Sequence, residues 1–294
     1  MTTTFLTGGT GFLGARVIAA LGDAGRVRAL SRAPRPASPG LEWIQGDVGS
    51  AAAYRDALRG TDVVVHAAAA TGRVRAADHQ RVNVDGTHAL LAAARDAGVR
   101  RFVFVSSIAV KFADLSRYPY GRAKAAAERA VRESGLDWTI VRPTIITGPC
   151  APVLAGLRRL AGLPVVPVFG PGRARVQPIW VDDVAALVAR LATSGGAART
   201  VVEAGGPDVV TIEGLLLAIR KHLGRSRGRV VHLPLGPLQA ALATVERVAD
   251  GHLPLTAGQL CTFQFDGVAD AHPLWASLPD RLPLADQLLR SLAA

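Results

Sequence analysis

The stretch FLTGGTGFLG, residues 5–14, decides the fold class of this chain. A short β-prone run from Thr3 leads into it, and a helix-like segment follows at 11–23. Its three spaced glycines suit a sharp turn, a close approach of backbone to a pyrophosphate, and tight packing of helix on strand. Free N–H groups at the start of that helix favour phosphate. The residues predicted to contact a dinucleotide here are Thr7, Gly8, Thr10, Gly11, Phe12, Leu13 and Gly14.

Strand and helix signals alternate through the first half of the chain. Apolar runs typical of buried strands lie at 26–30, 41–45, 62–66, 101–106 and 138–142. Helices are predicted at 84–97 and 120–132, each closed by a glycine. This alternation predicts an α/β fold, a doubly wound parallel sheet with helices on both faces. Ligands of such sheets bind at the carboxyl ends of the strands, where the motifs below fall.

The second half is less regular, and prolines crowd residues 149–178. Helices are predicted at 182–192, 212–223 and 238–249, and a strand at 200–204. We expect residues 1–148, completed by about 176–205, to form a nucleotide-binding domain. Residues 149–175 and 206–294 are expected to form a smaller C-terminal lobe that binds substrate.

The end of the second predicted strand, residues 27–32, carries no acidic side chain. NAD sites usually place a carboxylate there, on the ribose 2′-hydroxyl. Ser31 and Arg32 occupy the position instead, and a guanidinium would pair with the 2′-phosphate of NADP. Arg35 is placed to add to this charge. We therefore predict NADP(H), with NAD(H) as the alternative, and an ordinary solvated arginine is the competing interpretation of Arg32.

Two further strand ends are predicted to contact the nucleotide. Asp47 follows the third strand and is suited to accept a hydrogen bond from the adenine amino group. Small residues after the fourth strand would let the backbone pass close to the nicotinamide ribose, although packing alone explains these alanines equally well. The predicted contacts are Asp47, Val48, Ala67, Ala68 and Ala69.

Tyr120 and Lys124 lie four residues apart on a predicted helix, which places them on one face. A nearby ammonium stabilises a phenolate and so lowers the tyrosine pKa from about 10. Tyr120 would then exchange a proton with a carbonyl or alcohol oxygen, and Lys124 would also hold the ribose hydroxyls. Ser107, or the adjacent Ser106, is suited to polarise the same oxygen. We predict Ser107, Tyr120 and Lys124 as the catalytic groups.

Together these motifs resemble the extended short-chain dehydrogenase/reductase family, over nearly the whole chain. The segments on which the resemblance rests are TGGTGFLG (7–14), GDV (46–48), HAAA (66–69), NVDGTHALL (83–91), FVFVSS (102–107), YGRAK (120–124), RPTIITGP (142–149) and WVDDVA (180–185). The resemblance implies a Rossmann domain with a C-terminal substrate lobe. It implies that Asn83 supports the site, that Pro143 lies near the nicotinamide carboxamide, and that Asp182 and Asp183 begin a helix.

Departures from the family pattern narrow the reaction that the resemblance implies. The asparagine of the epimerase motif RP-x-N is Ile145 here, and the Thr-Asp-Glu of dehydratases is Ser-Ser-Ile at 106–108. What remains resembles a reductase of ketones or aldehydes, or the reverse alcohol dehydrogenase. An epimerase acting on a nucleotide-linked or other anionic substrate stays open. The chain is also similar to bacterial relatives of the nucleotide-binding accessory subunit of respiratory Complex I, so a non-catalytic NAD(P)-binding module is a further alternative.

The formal net charge of +11 comes almost entirely from arginines dispersed along the chain. It reflects either compositional bias or a field that attracts anionic ligands such as NADP. The chain lacks the Lys/Arg runs of nucleic-acid patches, so no nucleic-acid partner is predicted. A small-molecule substrate, apolar or anionic, is expected, and the family resemblance makes a homodimer plausible.

The cysteine spacing and the lengths of the apolar segments predict the cellular compartment of the protein. Cys150 and Cys261 fit no metal-ligand spacing, so no metal is predicted, and a reducing environment is expected. No apolar run reaches the ~18 residues that suggest a membrane span, and no signal-peptide pattern opens the sequence. We expect a soluble, cytoplasmic protein.

Overall fold

The computed structural model describes residues 1–22, 25–72, 74–194, 198–225, 229–246, 258–278 and 281–292. Within them the strands are β1 (Thr2–Thr7), β2 (Gly25–Ser31), β3 (Leu41–Gln45), β4 (Val63–His66), β5 (Arg101–Val105), β6 (Asp137–Pro143), β7 (Ile146–Thr147), β8 (Val165–Phe169), β9 (Arg175–Val176), β10 (Ile179–Trp180), β11 (Thr200–Ala204), β12 (Val210–Thr211) and β13 (Arg229–Leu233). The α-helices are α1 (Phe12–Leu21), α2 (Ala76–Asp78), α3 (Gly86–Asp96), α4 (Pro119–Glu133), α5 (Pro152–Ala161), α6 (Val181–Ser194), α7 (Ile212–His222), α8 (Leu235–Glu246), α9 (Pro273–Ala276) and α10 (Leu284–Leu292).

A seven-stranded sheet forms the centre of the fold, in the order β11-β6-β5-β4-β1-β2-β3. Every neighbouring pair in it is parallel. The inner strands are buried on both faces, which explains the continuous apolar sequence of β4 and β5. The strand order reverses direction between β1 and β4, and the carboxyl ends at that point lie side by side. The predicted doubly wound α/β fold is confirmed.

Helices cover both faces of the sheet and create two separate cores. On one face α1 and α6 pack through Val17, Leu21, Val184, Leu187 and Val188. On the other face α3 and α4 pack through Leu90, Leu91, Ala127 and Val131. The helix start predicted at Asp182 and Asp183 is confirmed, because both carboxylates lie in the first turn of α6.

The helix predicted at 84–97 begins earlier than its sequence pattern indicated. It starts with α2, passes through a π-helical turn at His79–Asp85, and continues as α3. A π-helical turn is wider than an α-helical turn and frequently lies at functional sites. Other predicted elements agree within three residues, and the predicted ends at Asp23 and 247–249 lie outside the described residues.

A third core lies beside the carboxyl ends of the sheet. It is built by α5, α7, α10 and the parallel pair β8–β13, around Leu154, Val166, Val168, Leu215 and Leu288. Buried Gln287 on α10 connects it to the sheet side, because its Oε1 accepts a hydrogen bond from Thr147 at 2.6 Å. None of the helices in the described part of the chain is long and apolar enough to cross a bilayer.

Candidate functional site

The glycine turn after β1 packs closely against the backbone of the residues that follow β4. Gly8 has a positive φ of 78°, and a Cβ there would lie 2.6 Å from the backbone nitrogen of Ala68. A Cβ at Gly14 would overlap the carbonyl oxygen of Gly8. Gly11 donates its N–H to that same oxygen at 2.9 Å. The spacing of the motif is therefore required by backbone contacts, as the sequence predicted.

The first turn of α1 fits a pyrophosphate. Gly11 precedes the helix in extended conformation, and no side chain caps the N–H groups that begin it. Those donors have no intrahelical partner, and the helix dipole places partial positive charge on them. Thr10 and Gly11 are exposed, so an anion has access. Phe12 and Leu13 can contact a ligand here only through their backbone. The side chain of Phe12 packs into the third core, and that of Leu13 packs into the core between α1, α6 and the sheet.

A directed hydrogen-bond chain fixes the loop after β4. Ala68 donates its N–H to Thr7 Oγ1 at 3.2 Å, and Thr7 Oγ1 lies 2.6 Å from His66 Nδ1. His66 Nε2 lies 2.9 Å from Thr87 Oγ1, whose proton goes to the carbonyl of Asn83 at 2.7 Å. Because that carbonyl only accepts, Nε2 must carry the His66 proton and Nδ1 must accept from Thr7.

The imidazole of His66 is held neutral within this chain. It is completely buried. Burial lowers its pKa to about 3, and the charge of Lys124 acts in the same direction. His66 was not predicted as a site residue. The signal that could have found it is a polar side chain at the end of the buried strand β4.

Asn83 supports the same loop from the π-helical turn. Its Oδ1 accepts from Ala70 N at 2.7 Å, and its Nδ2 donates to Ala70 O at 3.0 Å. His79, one helical turn earlier, also lies 3.1 Å from Ala70 O. These contacts agree with the structural role that the family resemblance implied for Asn83.

The residues at the ends of β2 and β3 differ in exposure. Ser31 is buried and donates to Ala33 O at 2.7 Å, whereas Arg32 is exposed. The guanidinium of Arg35 lies over the Trp43 ring at 5.4 Å. Arg32 and Arg35 are both exposed, whereas the Ser31 hydroxyl is engaged within the fold.

The carboxylate of Asp47 already makes contacts within the protein. One carboxylate oxygen of Asp47 accepts from Gly49 N at 2.9 Å, and Arg81 lies 3.9 Å from it. Val48 is buried, and its carbonyl accepts from the Tyr54 hydroxyl at 2.8 Å. Val48 can therefore contact a ligand only through its backbone or through apolar packing.

Ser107 and Tyr120 meet at the carboxyl end of β5. Ser107 begins a 3-10 turn and accepts from Ala109 N at 3.2 Å. Burial raises the pKa of Tyr120 to about 12, and the nearby Ser107 hydroxyl opposes that shift. The Tyr120 ring packs on His79 and Tyr118, with centroids 5.9 and 5.8 Å away.

Lys124 is on the same helix face but points deeper into the fold. Its side chain is 2% exposed, and Nζ donates to the carbonyl of Val105 at 2.7 Å. Nζ also lies 4.7 Å above the Phe104 ring. Burial lowers the pKa of Lys124 to about 7, which nearby Glu128 opposes. Burial raises the pKa of Tyr120 in this ligand-free arrangement and Lys124 does not contribute to it, so the expectation that the ammonium lowers that pKa stays a prediction.

A buried ion network behind the site was not predicted from the sequence. Arg142 forms two hydrogen bonds with Glu128, at 2.7 and 2.9 Å, and a third with Glu203 at 3.2 Å. Lys111 joins Glu203 to Asp270, at 2.8 and 2.9 Å. Glu128 was detectable in principle, because an acidic residue four positions after Lys124 falls on the inner face of α4.

Pro143 ends β6, where the sheet meets the third core. It is buried and stands opposite Ala204 in the register of β6 with β11. The strand ends of β1, β4, β5 and β6 thus bring together the glycine turn, the alanines 67–69, the pair Ser107–Tyr120 and Pro143. This is the edge where the topology rule places a ligand.

Residues 8–161 match the profile of the family described as NAD(P)H-binding. The chain belongs to this family. It is an NAD(P)-binding chain of the extended short-chain dehydrogenase/reductase type, and NAD(P)(H) is its cofactor. The site fits this assignment, because the exposed start of α1 presents N–H groups that no side chain caps.

Curated relatives of this NAD(P)H-binding chain include reductases. It is 39% identical over 188 residues to the ceramide reductase of Caulobacter vibrioides, covering 62% of this chain and 58% of that protein. It is 34% identical over 223 residues to the (4-alkanoyl-5-oxo-2,5-dihydrofuran-3-yl)methyl phosphate reductase of Streptomyces griseus, covering 75% of this chain and 73% of that protein. The chain thus spans less than two thirds of the first of these relatives.

A solved structure shares the fold over nearly the full length. The structure of MoeE5 in complex with UDP-glucose and NAD aligns with a TM-score of 0.73 at 24% identity. The alignment covers 99% of this chain and 97% of that chain. The likeness establishes the Rossmann-like α/β architecture for the whole chain.

Proposed function

We propose that this chain is an NADP(H)-dependent oxidoreductase that reduces a ketone or aldehyde, or oxidises the corresponding alcohol. The position of Ser107 and Tyr120 together at the strand ends beside the glycine turn is the observation that carries the proposal. The reductase names of the relatives support the same reaction class. Residues 149–175 and 206–294 are proposed to bind the small-molecule substrate.

The protonation state of Tyr120 favours reduction. With a pKa of about 12, the phenol keeps its proton at neutral pH and acts as a general acid. The bound reduced nicotinamide supplies the hydride. Tyr120 donates its hydroxyl proton to the substrate carbonyl oxygen, and Ser107 orients that oxygen by a hydrogen bond. In the reverse direction the same phenol must first lose its proton, which burial opposes.

Lys124 has a positioning role in this proposal as well as a contact with the cofactor. Its bond to Val105 O anchors the end of β5 two residues before Ser107. We propose that the ribose hydroxyls provide its remaining partners. Asn83 and His66 would hold the loop 67–70 in place for the nicotinamide half, and Asp47 would face the adenine.

A preference for NADP over NAD follows from Arg32. The guanidinium is exposed at the end of β2, and residues 27–32 contain no carboxylate. A charge-assisted pair with the 2′-phosphate would strengthen binding about tenfold to a hundredfold.

Fluorescence titrations with NADPH and NADH, on the parent chain, Arg32→Ala and Arg26→Ala, test this preference. Arg26 is the matched control because it is exposed at the opposite end of the same strand. Equal affinities for the two nucleotides would remove Arg32 from the proposal.

A second candidate is a non-catalytic NAD(P)-binding module. It is favoured by the Lys124 ammonium, which is turned toward Val105 and leaves the phenol pKa high. The two candidates separate in an assay of NADPH oxidation with a panel of ketones and aldehydes. If the oxidoreductase proposal is right, Tyr120→Phe loses turnover at least about a hundredfold while NADPH affinity is unchanged. Tyr118→Phe, the control, keeps both. Normal turnover in Tyr120→Phe would contradict the proposed role of Tyr120.

A further inference from the structure

Helix α8 presents an unusual surface. No charged residue occurs from Leu233 through Val245. The exposed positions of the helix include Pro237, Ala240, Ala241 and Val245, whereas Gln239 is buried. A surface helix normally turns its charged and polar residues to water. Here the outward residues are predominantly apolar, so water is a poor partner for this part of the molecule.

The strand pair beside α8 extends the apolar surface. Four large aliphatic side chains are exposed in and next to β8 and β13, by 45, 43, 37 and 36% respectively: Leu163, Val165, Val231 and Leu233. We call these four residues the apolar patch. The chain passes directly from β13 into α8, and Leu235 packs where Gly170 leaves room for it. The patch and α8 together exceed the isolated exposed aliphatics that ordinary surfaces carry.

Cations lie beside the patch, and the segments that form it contain no carboxylates. Residues 138–181 and 214–245 contain no Asp or Glu. Arg220 donates to Ala161 O at 2.8 Å and to Leu163 O at 2.7 Å, and Arg225 donates to Gly162 O. Two of the exposed cations, Arg225 and Arg229, are placed beside the patch by that hydrogen bond and by the pairing of β13 with β8.

The strand pairing fixes one of these charges close to an aliphatic side chain. Arg229 stands opposite Val165 in the register of β13 with β8. The nearby carboxylate of Glu213, at the start of α7, lies 3.0 Å from the imidazole of His232. The patch is therefore aliphatic, with Arg225 and Arg229 beside it.

The charge and the apolarity together select one occupant. A second copy of the chain, docking symmetrically, would bring its own arginines against these arginines, which is repulsive. A nucleic acid would satisfy the cations and leave the aliphatic side chains without a partner. A bilayer with anionic headgroups satisfies both, because acyl chains accept the aliphatic groups and headgroup phosphates accept the arginines.

We propose that the apolar patch and α8 form a peripheral docking surface for anionic membranes. The chain would lie on the bilayer with β8, β13 and α8 at the headgroup level. The surface contains none of the residues proposed to be catalytic, and its test does not depend on turnover.

The test is sedimentation of the purified full chain with vesicles of phosphatidylcholine alone and with added phosphatidylglycerol. Binding to the anionic vesicles and weak binding to the neutral ones is expected. Arg229→Ala should weaken binding about fivefold, the effect of one cation near an anionic surface. Val231→Glu should weaken it more than about tenfold, because it places a carboxylate among the acyl chains.

Leu289→Glu is the matched control, since Leu289 is 60% exposed on α10 outside the patch. It should bind vesicles like the parent chain. Circular dichroism and NADPH titration check that each variant is folded. The proposal is overturned by absent binding to anionic vesicles, or by equal effects of Val231→Glu and Leu289→Glu, which would indicate adsorption by net charge alone. A dimer that Val231→Glu dissociates would overturn it in favour of a second copy.

Discussion

The Nζ atom of Lys124 lies 2.7 Å from the carbonyl oxygen of Val105, inside the fold, although the residue is one helical turn from Tyr120. The ammonium thus connects helix α4 to the end of strand β5. It lies above the Phe104 ring and near the neutral His66, and Glu128 only partly offsets the effect of burial on its pKa. The positive charge is therefore costly to keep in the absence of a ligand.

Replacing Lys124 by Met should stabilise the ligand-free chain at and below neutral pH, by on the order of a few kcal/mol. The unfolded chain keeps the lysine proton up to about pH 10.5, whereas the folded chain keeps it only to about 7. Between these values the unfolded state binds more protons, so the parent chain gains stability as pH rises. Urea unfolding across this window should show the advantage of Lys124→Met shrinking. Lys221→Met, exposed on α7, should show no such trend, and a pH-independent gap would contradict the prediction.

Thr7→Val should destabilise the fold by about 1–3 kcal/mol, because it leaves His66 Nδ1 buried without its donor. The Ala68 N–H loses its acceptor as well. The free energy of unfolding in urea measures the effect. The control is Thr10→Val in the same turn, which is exposed and should change stability by less than about 0.5 kcal/mol. Similar losses in both variants would mean that the directed chain through His66 contributes little.

Gly14→Ala and Gly156→Ala are a matched pair of helix substitutions with opposite expected signs. At Gly14 a Cβ overlaps the Gly8 carbonyl, so a loss of about 1–3 kcal/mol or more and weaker NADPH binding are expected. At Gly156 on α5 a Cβ meets nothing within 4 Å, so alanine should stabilise by about 0.5–1 kcal/mol. Thermal unfolding and nucleotide titration report both effects. A harmless Gly14→Ala would show that the turn is not tightly packed.

Glu128→Gln should cost about 1–3 kcal/mol, because the neutral amide keeps one acceptor oxygen in place of two and turns an NH2 group toward the half-buried Arg142 guanidinium. Burial alone would raise the pKa of Glu128, but the bonds from Arg142 hold it below its usual range. Glu133→Gln, exposed five positions later on α4, should be nearly neutral. Urea unfolding of the two variants side by side decides the matter, and equal stability would show that the network contributes no net energy.

Much of the fold was predictable because its signals are local. The apolar runs of β4 and β5 and the glycine turn each depend on a few consecutive residues. The π-helical turn at His79–Asp85 was missed, because a wide turn has no compositional signature and is selected by contacts to Ala70. Alternation along a strand could not separate Ser106 from Ser107. The structure places Ser107 against Tyr120 and buries Ser106.

The long-range parts of the site could not be read from the sequence. The partner of Arg142 on one side is 14 positions away, and on the other side 61 positions away. The direction of Lys124 depends on how Phe104 and Val105 pack around it, which helical spacing does not encode. The assignments of Ser107, Tyr120, Lys124 and the cofactor contacts therefore stay predictions until variants are measured.

The late position of β11 in the chain has a consequence for biosynthesis. Strand β6 ends at Pro143, but its outer neighbour is completed only when residue 204 has left the ribosome. Until then the nascent chain exposes an unpaired, apolar strand edge, and Arg142 lacks Glu203. The intervening residues must emerge first, so this edge stays open to intermolecular pairing while they are synthesised. Engagement of chaperones during synthesis should therefore concentrate between these two strands.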